Sequence, residues 1–288
     1  MFCLSVGVIY GKIILKGEIG LKRYDGILLC SDYDLTLTSN KHVYVKGEDR
    51  FACIPPANIA AVKEFVAKGG TFAMVSGRNP DEIEAVKEIM PIEDLCVCSN
   101  GTAVYSFKEH RAVVSFTMDE SCLTAVRYFA ARADKFDFLR ITDNDFKFVF
   151  FRDGDDLDSV LKKPRFPVYK MIIEHFSVDV AKRHYEEALQ LFSDRFSVEM
   201  SGPRTLEICP ALSGKGEALK RMIPLLGKKF DKIVCVGDNQ NDIGMIKFAD
   251  IGYAVGNAID ALKAAADKVT VESSEGAVAA VISDLKNI

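Results

Sequence analysis

Short apolar runs alternate along the chain with segments whose apolar residues recur every three or four positions. The first run, Ile27 to Cys30, stops at Ser31-Asp32-Tyr33-Asp34-Leu35-Thr36. A helix is predicted from Pro55-Pro56-Ala57-Asn58, with Ile59, Val62, Phe65 and Val66 at helical spacing, ending at Gly69-Gly70. TFAMVS (71–76) reads as a strand. Asn79 then suits an N-cap, Pro80 the first helical position, and Glu82 completes a capping box. DLCVCS (94–99) is a further strand, ending at Asn100-Gly101.

From about 103 to 207 the rhythm changes to strand pairs separated by helices. AVYSF, AVVSFTM, FLRIT, FKFVFF, VYKMIIEHF, FSVEMS and TLEIC read as strands. SCLTAVRYFAARAD and VDVAKRHYEEALQLF read as helices, and FRDGDDLDSVLKKPRFP as a surface excursion. This is the pattern of an α+β unit with its own antiparallel sheet. Strand–helix alternation returns from Lys215: GEALKRMIPLL, KIVCVGD, NDIGMIKFA, IGYAV, AIDALKAAA, KVTV, GAVAAVISDL. The expected fold class is therefore α/β. A doubly wound parallel-sheet core spans 26–102 and 208–288, interrupted by an inserted α+β domain at 103–207. Residues 1–25 form an arm to which no role is assigned. It lacks a basic leader and is broken by Lys12 and Lys16, so neither a secretory leader nor a membrane span is expected.

Composition narrows the classes. The chain has 288 residues, 49% hydrophobic and 27% charged, with a formal net charge of -4. That is enough to bury a sizeable core, and it lacks the basic excess of a nucleic-acid binder. The eight cysteines form no C-x-x-C and lie mostly in apolar runs, as expected for reduced core thiols in a cytoplasmic protein.

Candidate chemistry gathers at the predicted C-terminal ends of core strands, where open parallel sheets bind ligands. Asp32 and Asp34 supply one carboxylate able to attack phosphorus and a second able to protonate a leaving oxygen and activate water; alone, the stretch also fits a polar turn. Ser76-Gly77-Arg78 lies between a strand and a helix N-terminus, a place that suits an anion or a plain capped turn. Lys215 sits between two glycines at a helix start and can reach a phosphate, although surface lysines are commoner. Asp238, Asn241 and Asp242 crowd a strand end, where oxygen ligands suit Mg²⁺ and acidic residues also cap helices. His42, His110, His175 and His184 lie in no motif and are read as solvated or structural.

All four motifs in this order resemble the haloacid dehalogenase-like hydrolase superfamily, and more closely the Cof-type (type IIB) phosphatases. The resemblance runs from about Gly26 to the end. It includes SNGTAVYS and the tail YAVGNAIDALKAAADKVT…SSEGAVAAVI. It implies a Rossmann-like core with a cap and a Mg²⁺-dependent phosphatase of small phosphorylated metabolites, such as a sugar phosphate or a phosphorylated cofactor. Asp32 would be the nucleophile and Asp34 the general acid and base. Asp32, the Asp34 carbonyl and Asp238 would hold Mg²⁺, with Asp242 and Asn241 positioning its water. Ser76 and Lys215 would bind the phosphoryl group, Thr36 would brace the loop, and Gly77, Arg78, Asn100 and Gly101 would contact phosphate or substrate. Charged cap residues around Asp143, Asp145, Arg165 and Lys170 would read the leaving group or remain solvated. Leu35 departs from the family, which has glycine there, and is expected to alter the backbone after Asp34. The expected partner is a small phosphorylated metabolite, with no nucleic acid and no membrane, in a monomer or homodimer. A phosphomutase on the same core and a non-catalytic phosphometabolite-binding protein are the alternatives.

Overall fold

The computed structural model describes residues 23–39, 53–132 and 136–287. Residues 1–22 of the N-terminal arm, with Cys3, and His42 lie outside them. β1 (Ile27–Ser31), β2 (Thr71–Met74), β11 (Lys232–Gly237), β12 (Ile251–Ala254) and β13 (Lys268–Val269) make one sheet in the order β13-β12-β11-β1-β2. All its pairings are parallel. β3 (Leu95–Cys98) approaches β2 through a parallel bridge, Val75 to Val97. From β1 the chain winds outward through β2 and β3; from β11 it winds the other way through β12 and β13. The switch point therefore lies between β1 and β11, where doubly wound sheets open a ligand crevice. Both strands are buried from end to end or nearly so, as expected for a sheet covered on both faces. Helices α1 (Pro56–Ala67), α6 (Lys215–Leu225), α7 (Ile243–Phe248) and α9 (Ala277–Asp284) contribute Val62, Phe65, Leu219, Met222, Met245 and Val281 to that core.

A second sheet is antiparallel: β7 (Phe148–Phe151), β6 (Phe136–Thr142), β8 (Lys170–His175), β10 (Thr205–Pro210) and β9 (Phe196–Gly202), in that order. Its alternation assigns the faces. Leu139, Ile141, Met171, Ile173, Leu206 and Ile208 enter a second apolar cluster with α3 (Leu123–Ala130) and α5 (Val178–Phe192). Their neighbours Arg140, Ile172 and Glu207 form a cross-strand row on the opposite face. α5 keeps Ala181, His184, Ala188 and Phe192 inward at spacings of three and four, and Ser177 caps it. The hairpin β4 (Ala103–Ser106) and β5 (Arg111–Ser115) pairs with β3, and Val104 joins the first cluster. The second cluster begins at Met118. The excursion 151–167 is less loose than expected. It holds a short helix, α4 (Leu157–Val160), whose Val160 is buried with Leu157, Leu161 and Phe166 against the second cluster.

Two of the histidines are structural. His175 Nδ1 lies 3.0 Å from the Arg204 carbonyl oxygen, and His175 Nε2 lies 3.0 Å from His184 Nδ1. A carbonyl only accepts, so His175 carries its proton on Nδ1 and its Nε2 accepts from His184. Protonating His175 would set two N–H groups against each other. Burial lowers both pKa values, and the neighbouring His175 adds to it for His184, which falls to about 4. The neutral forms are thus favoured by folding. Their stabilisation is present above the unfolded pKa near 6.5 and is lost as pH falls towards 4. We predict a loss of up to roughly 3 kcal/mol between pH 7.5 and 4.5 from His184. Urea melts across this range check it, with the slope reduced in His184→Gln.

Candidate active site

Asp32 follows the last residue of β1 and is 4% exposed. Its backbone N–H donates to the Val236 carbonyl at 3.0 Å, so the parallel ladder itself holds the residue at the switch point. The chain then turns through Asp34 (φ -72°, ψ 127°) and Leu35 (φ 58°, ψ 14°). Leu35 thus occupies the left-handed region that glycine adopts without steric cost. A leucine at this φ carries local strain. The Leu35 N–H donates to Thr38 Oγ1 at 3.1 Å, and Asn257 Nδ2 donates to the Leu35 carbonyl at 2.9 Å. A left-handed L-residue costs about 1–2 kcal/mol. Leu35→Gly should therefore leave stability within about 1 kcal/mol, because relieved strain offsets the entropy glycine adds to the unfolded chain. Leu35→Val, branched at Cβ, should lose about 1–2 kcal/mol. Denaturant melts of the two variants separate these outcomes.

Asp238 stands at the end of β11, beside Asp32. Carboxylate oxygens of Asp32, Asp238 and Asp242 lie within 4.8 Å of one another, all three buried. Asp242 is fully committed to its neighbours. Its Oδ2 accepts from the N–H groups of Asp238 (2.9 Å) and Asn239 (3.0 Å), and its Oδ1 accepts from Lys215 Nζ at 2.6 Å. Gly237 is required beneath it, since a Cβ there would lie 2.6 Å from the Asp242 Cβ. Lys215 opens α6, is 2% exposed, and also donates to Asp32 Oδ1 at 2.6 Å. Burial works against the lysine charge, but Asp242 and Asp32 outweigh it and raise its pKa. Burial pushes the Asp32 carboxyl well above the usual carboxylate range; Lys215 opposes this, while Asp242, Asp238 and Asp34 add to it. One ammonium among three carboxylates leaves a negative excess. The all-oxygen donor set therefore fits a hard divalent cation.

Arg78 grips Asp34 with both arms. Nε donates to Oδ2 at 2.9 Å and Nη2 to Oδ1 at 2.6 Å, while Nη1 reaches Glu82 at 2.7 Å. Burial acts against the guanidinium charge, but the hydrogen bonds and charges of Asp34 and Glu82 prevail and raise its pKa. Glu82 also accepts from the Asn79 N–H at 3.0 Å, the capping-box bond expected for α2 (Pro80–Glu84). Asn100 (φ 60°) joins the two strand-end groups. Its Oδ1 accepts from Asn241 Nδ2 at 2.8 Å, and its Nδ2 donates to Glu207 at 2.7 Å.

A cavity of about 500 Å³ opens here. Of the expected residues, Asp32, Asp34, Gly77, Arg78, Asn100, Lys215, Asp238 and Asn241 line it. Asp242, Ser76, Thr36 and Gly101 stand behind that lining. Ser76 is buried and its Oγ accepts from the Arg78 N–H at 3.1 Å. Thr36 is buried with no partner for its hydroxyl among the described residues. Gly101 (φ 84°) lets the Gly214–Lys215 backbone pass, because a Cβ would meet Gly214 C at 2.1 Å.

The roof is the antiparallel sheet. Lys170 lies on strand β8 rather than in a loop, is 1% exposed, and donates to Glu207 and to the Gly77 carbonyl, each at 3.1 Å. Asp143, Asp145 and Arg165 instead tie up the β6–β7 turn: Asp143 Oδ1 accepts from the Asp145 and Lys147 N–H groups, and Arg165 pairs with Asp145. Sequence reasoning missed Arg140, Glu207, Phe138 and Phe148, all of which line the cavity. The available signal was alternation: Arg140, Lys170, Glu174 and Glu207 occupy every-second positions in otherwise apolar strands.

Comparison with known proteins agrees with this architecture. The segment 29–282 matches a family model described as haloacid dehalogenase-like hydrolase. The 5-amino-6-(5-phospho-D-ribitylamino)uracil phosphatase YwtE of Bacillus subtilis is 35% identical over 118 residues, 41% of this chain and 41% of that protein. The alignment thus spans about two fifths of that relative's length. A haloacid dehalogenase-like hydrolase from Bacteroides thetaiotaomicron superposes with a TM-score of 0.70 at 21% identity, covering 91% of this chain and 99% of that one. A subclass IIB sugar phosphatase of the same superfamily superposes with a TM-score of 0.71 at 18% identity, covering 91% and 99%. With a family model matched over most of its length and that family's fold, the chain belongs to the haloacid dehalogenase-like hydrolases.

Proposed function

We propose that the protein is a Mg²⁺-dependent phosphatase of small phosphorylated metabolites, acting through an aspartyl-phosphate on Asp32. The observation that carries this reading is the buried carboxylate at the switch point, bonded to Lys215 at 2.6 Å and clustered with Asp238 and Asp242. Asp32 Oδ attacks phosphorus while the bond to the leaving oxygen breaks, and Asp34 gives that oxygen its proton. Water then attacks the phosphoryl group, Asp34 takes the water's proton, and the bond to Asp32 breaks. Both Asp34 oxygens are engaged by Arg78. Arg78 therefore orients Asp34, and one of its two bonds yields when the leaving group arrives. Lys215 neutralises the transferring group, with Gly77 on the opposite wall, Ser76 holding the Arg78 backbone behind it and Thr36 bracing the nucleophile turn.

Mg²⁺, when bound, would offset the charge of the entering phosphate and the carboxylates around it. Asp32, Asp238 and the Asp34 carbonyl are the ligands we assign. Asp242 holds Lys215, and it and Asn241 would help to position water on the metal. We assign 26–102 with 208–288 to the catalytic core and 103–207 to the cap. The hairpin 103–115 packs with the core cluster, and the cap's own apolar cluster begins at Met118. Among the described residues no helix is long and apolar enough to cross a membrane.

The cavity supports a substrate larger than phosphate alone, such as a sugar phosphate or a phosphorylated cofactor, since it carries both polar and aromatic side chains. Phosphate release from a panel of phosphorylated sugars and cofactors tests the reading. Release is expected with Mg²⁺ and should fall at least about 100-fold with chelator. Equal release in chelator would overturn the metal dependence.

A further inference from the structure

The four cations that line the cavity are not equivalent. Lys215 is shared by Asp32 and Asp242, Lys170 by Glu207 and the Gly77 carbonyl, and Arg78 by Asp34 and Glu82. Arg140, on the cap face, makes no hydrogen bond or ion pair among the described residues. Its Nε is buried and lacks an acceptor. Its guanidinium carbon lies 4.2 Å from the centre of the Phe148 ring. That stack fixes the plane of the fork without using its N–H groups.

The acidic groups nearest in charge are engaged elsewhere. Glu82 takes Arg78 and the Asn79 N–H, Glu207 takes Lys170 and Asn100, and Glu174 accepts from Thr205 Oγ1 at 2.7 Å with Arg204 at 3.5 Å. A buried N–H of a charged group left unpaired is costly, and a ligand acceptor in the cavity relieves that cost. The planar fork favours a carboxylate or a phosphate, which it binds through two parallel N–H···O bonds. A neutral hydroxyl offers only one weaker acceptor.

We propose that Arg140 is a specificity residue for a second anionic group, carboxylate or phosphate, on the leaving-group side of the substrate. The inference rests on the proposed phosphatase reading, and it narrows the substrate to phosphate monoesters that carry a further anion. The site has a floor and a roof: the reacting phosphate meets Asp32 and Lys215 on the core, while the distal anion meets Arg140 on the cap. Phe138 and Ile172 are apolar members of the same cavity lining, and Phe148 lies against the guanidinium.

The test uses matched pairs with the full chain. 6-Phosphogluconate against sorbitol 6-phosphate isolates a distal carboxylate; fructose 1,6-bisphosphate against fructose 6-phosphate isolates a distal phosphate. The wild type should favour the anion-bearing member of at least one pair, and the pair that responds identifies the anion. Arg140→Gln should reduce that preference about 10- to 100-fold, mainly through KM, and Arg140→Lys should retain part of it. The same compounds titrated calorimetrically against Asp32→Asn, with and without Arg140→Gln, read the preference as binding. If none of the compounds releases phosphate, the phosphatase reading is in difficulty, and the binding titration still decides the role of Arg140. No preference in either pair, or a preference that survives Arg140→Gln in kinetics and binding alike, would overturn the inference.

Discussion

Asp32→Asn is expected to lower phosphate release by at least about 10⁴-fold while leaving the chain folded. The amide is close in shape to the carboxylate, but it lacks the charge and the lone pairs needed to attack phosphorus. Stability should not fall with activity. Asp32 is buried beside Asp242 and Asp238, and those acids together with burial oppose its ionisation more than Lys215 favours it. Removing its charge leaves Lys215 bonded to Asp242 at 2.6 Å and lowers the repulsion among the remaining carboxylates. We expect an unfolding free energy unchanged or raised by about 1–2 kcal/mol in chelator. Single-turnover phosphate release and denaturant melts measure the two effects. Retention of more than a few per cent of the wild-type rate would place the nucleophile elsewhere.

This opposition of activity and stability marks a place where local rules of sequence and global needs diverge, and it explains what was legible beforehand. Asp32, Asp34, Lys215 and Asp238 could be found from sequence because each lies at or within three residues of the end of a core strand or the start of a helix, so a local pattern locates it. The core strands were legible for the same reason, as short apolar runs bounded by turn residues. Lys170 was not. In sequence it is one charged residue after a proline-rich stretch, and only the pairing of β8 with β10 and β6 shows which face it presents. Arg140 and Glu207 are hidden in the same way, since period-two alternation gives two faces without saying which one carries the helices. Leu35 was legible as a departure but not in its consequence. The hydrogen bonds to Thr38 and from Asn257 that hold it involve, for Asn257, a residue 222 positions away. Asp242 was legible as one of the clustered acids, but spacing could not reveal that its oxygens also accept from two backbone N–H groups and a lysine.

Lys215→Met should have the opposite balance from Asp32→Asn. Methionine keeps much of the side-chain volume, so the packing of α6 changes little and the loss is chiefly one of charge. The ammonium is the one cation within hydrogen-bond reach of both Asp32 and Asp242 among the described residues, with each contact at 2.6 Å and the side chain 1% exposed. Its removal takes the bonded ammonium away from Asp32 and Asp242, within a cluster of three buried carboxylates whose oxygens lie within 4.8 Å of one another. Breaking a buried ion pair from one side typically costs about 3–5 kcal/mol, and that loss is expected in chelator. Mg²⁺ should restore a large part of it, because a cation that binds only the folded chain stabilises by about 2.7 kcal/mol at a hundred times its Kd. The rise in melting temperature on adding Mg²⁺ should thus be larger for Lys215→Met than for the wild type. Phosphate release should still fall about 10²- to 10³-fold, since a cation at the carboxylates does not replace the lysine charge on the phosphoryl oxygens. The two substitutions should also couple. Adding Asp32→Asn to Lys215→Met removes one of the stranded charges, so the double variant should be more stable than Lys215→Met alone by about 1–3 kcal/mol. A Lys215→Met chain that melts like the wild type in chelator would mean that the carboxylates are neutralised by protons instead, and the assignment of a charged cluster awaiting a divalent cation would have to be abandoned.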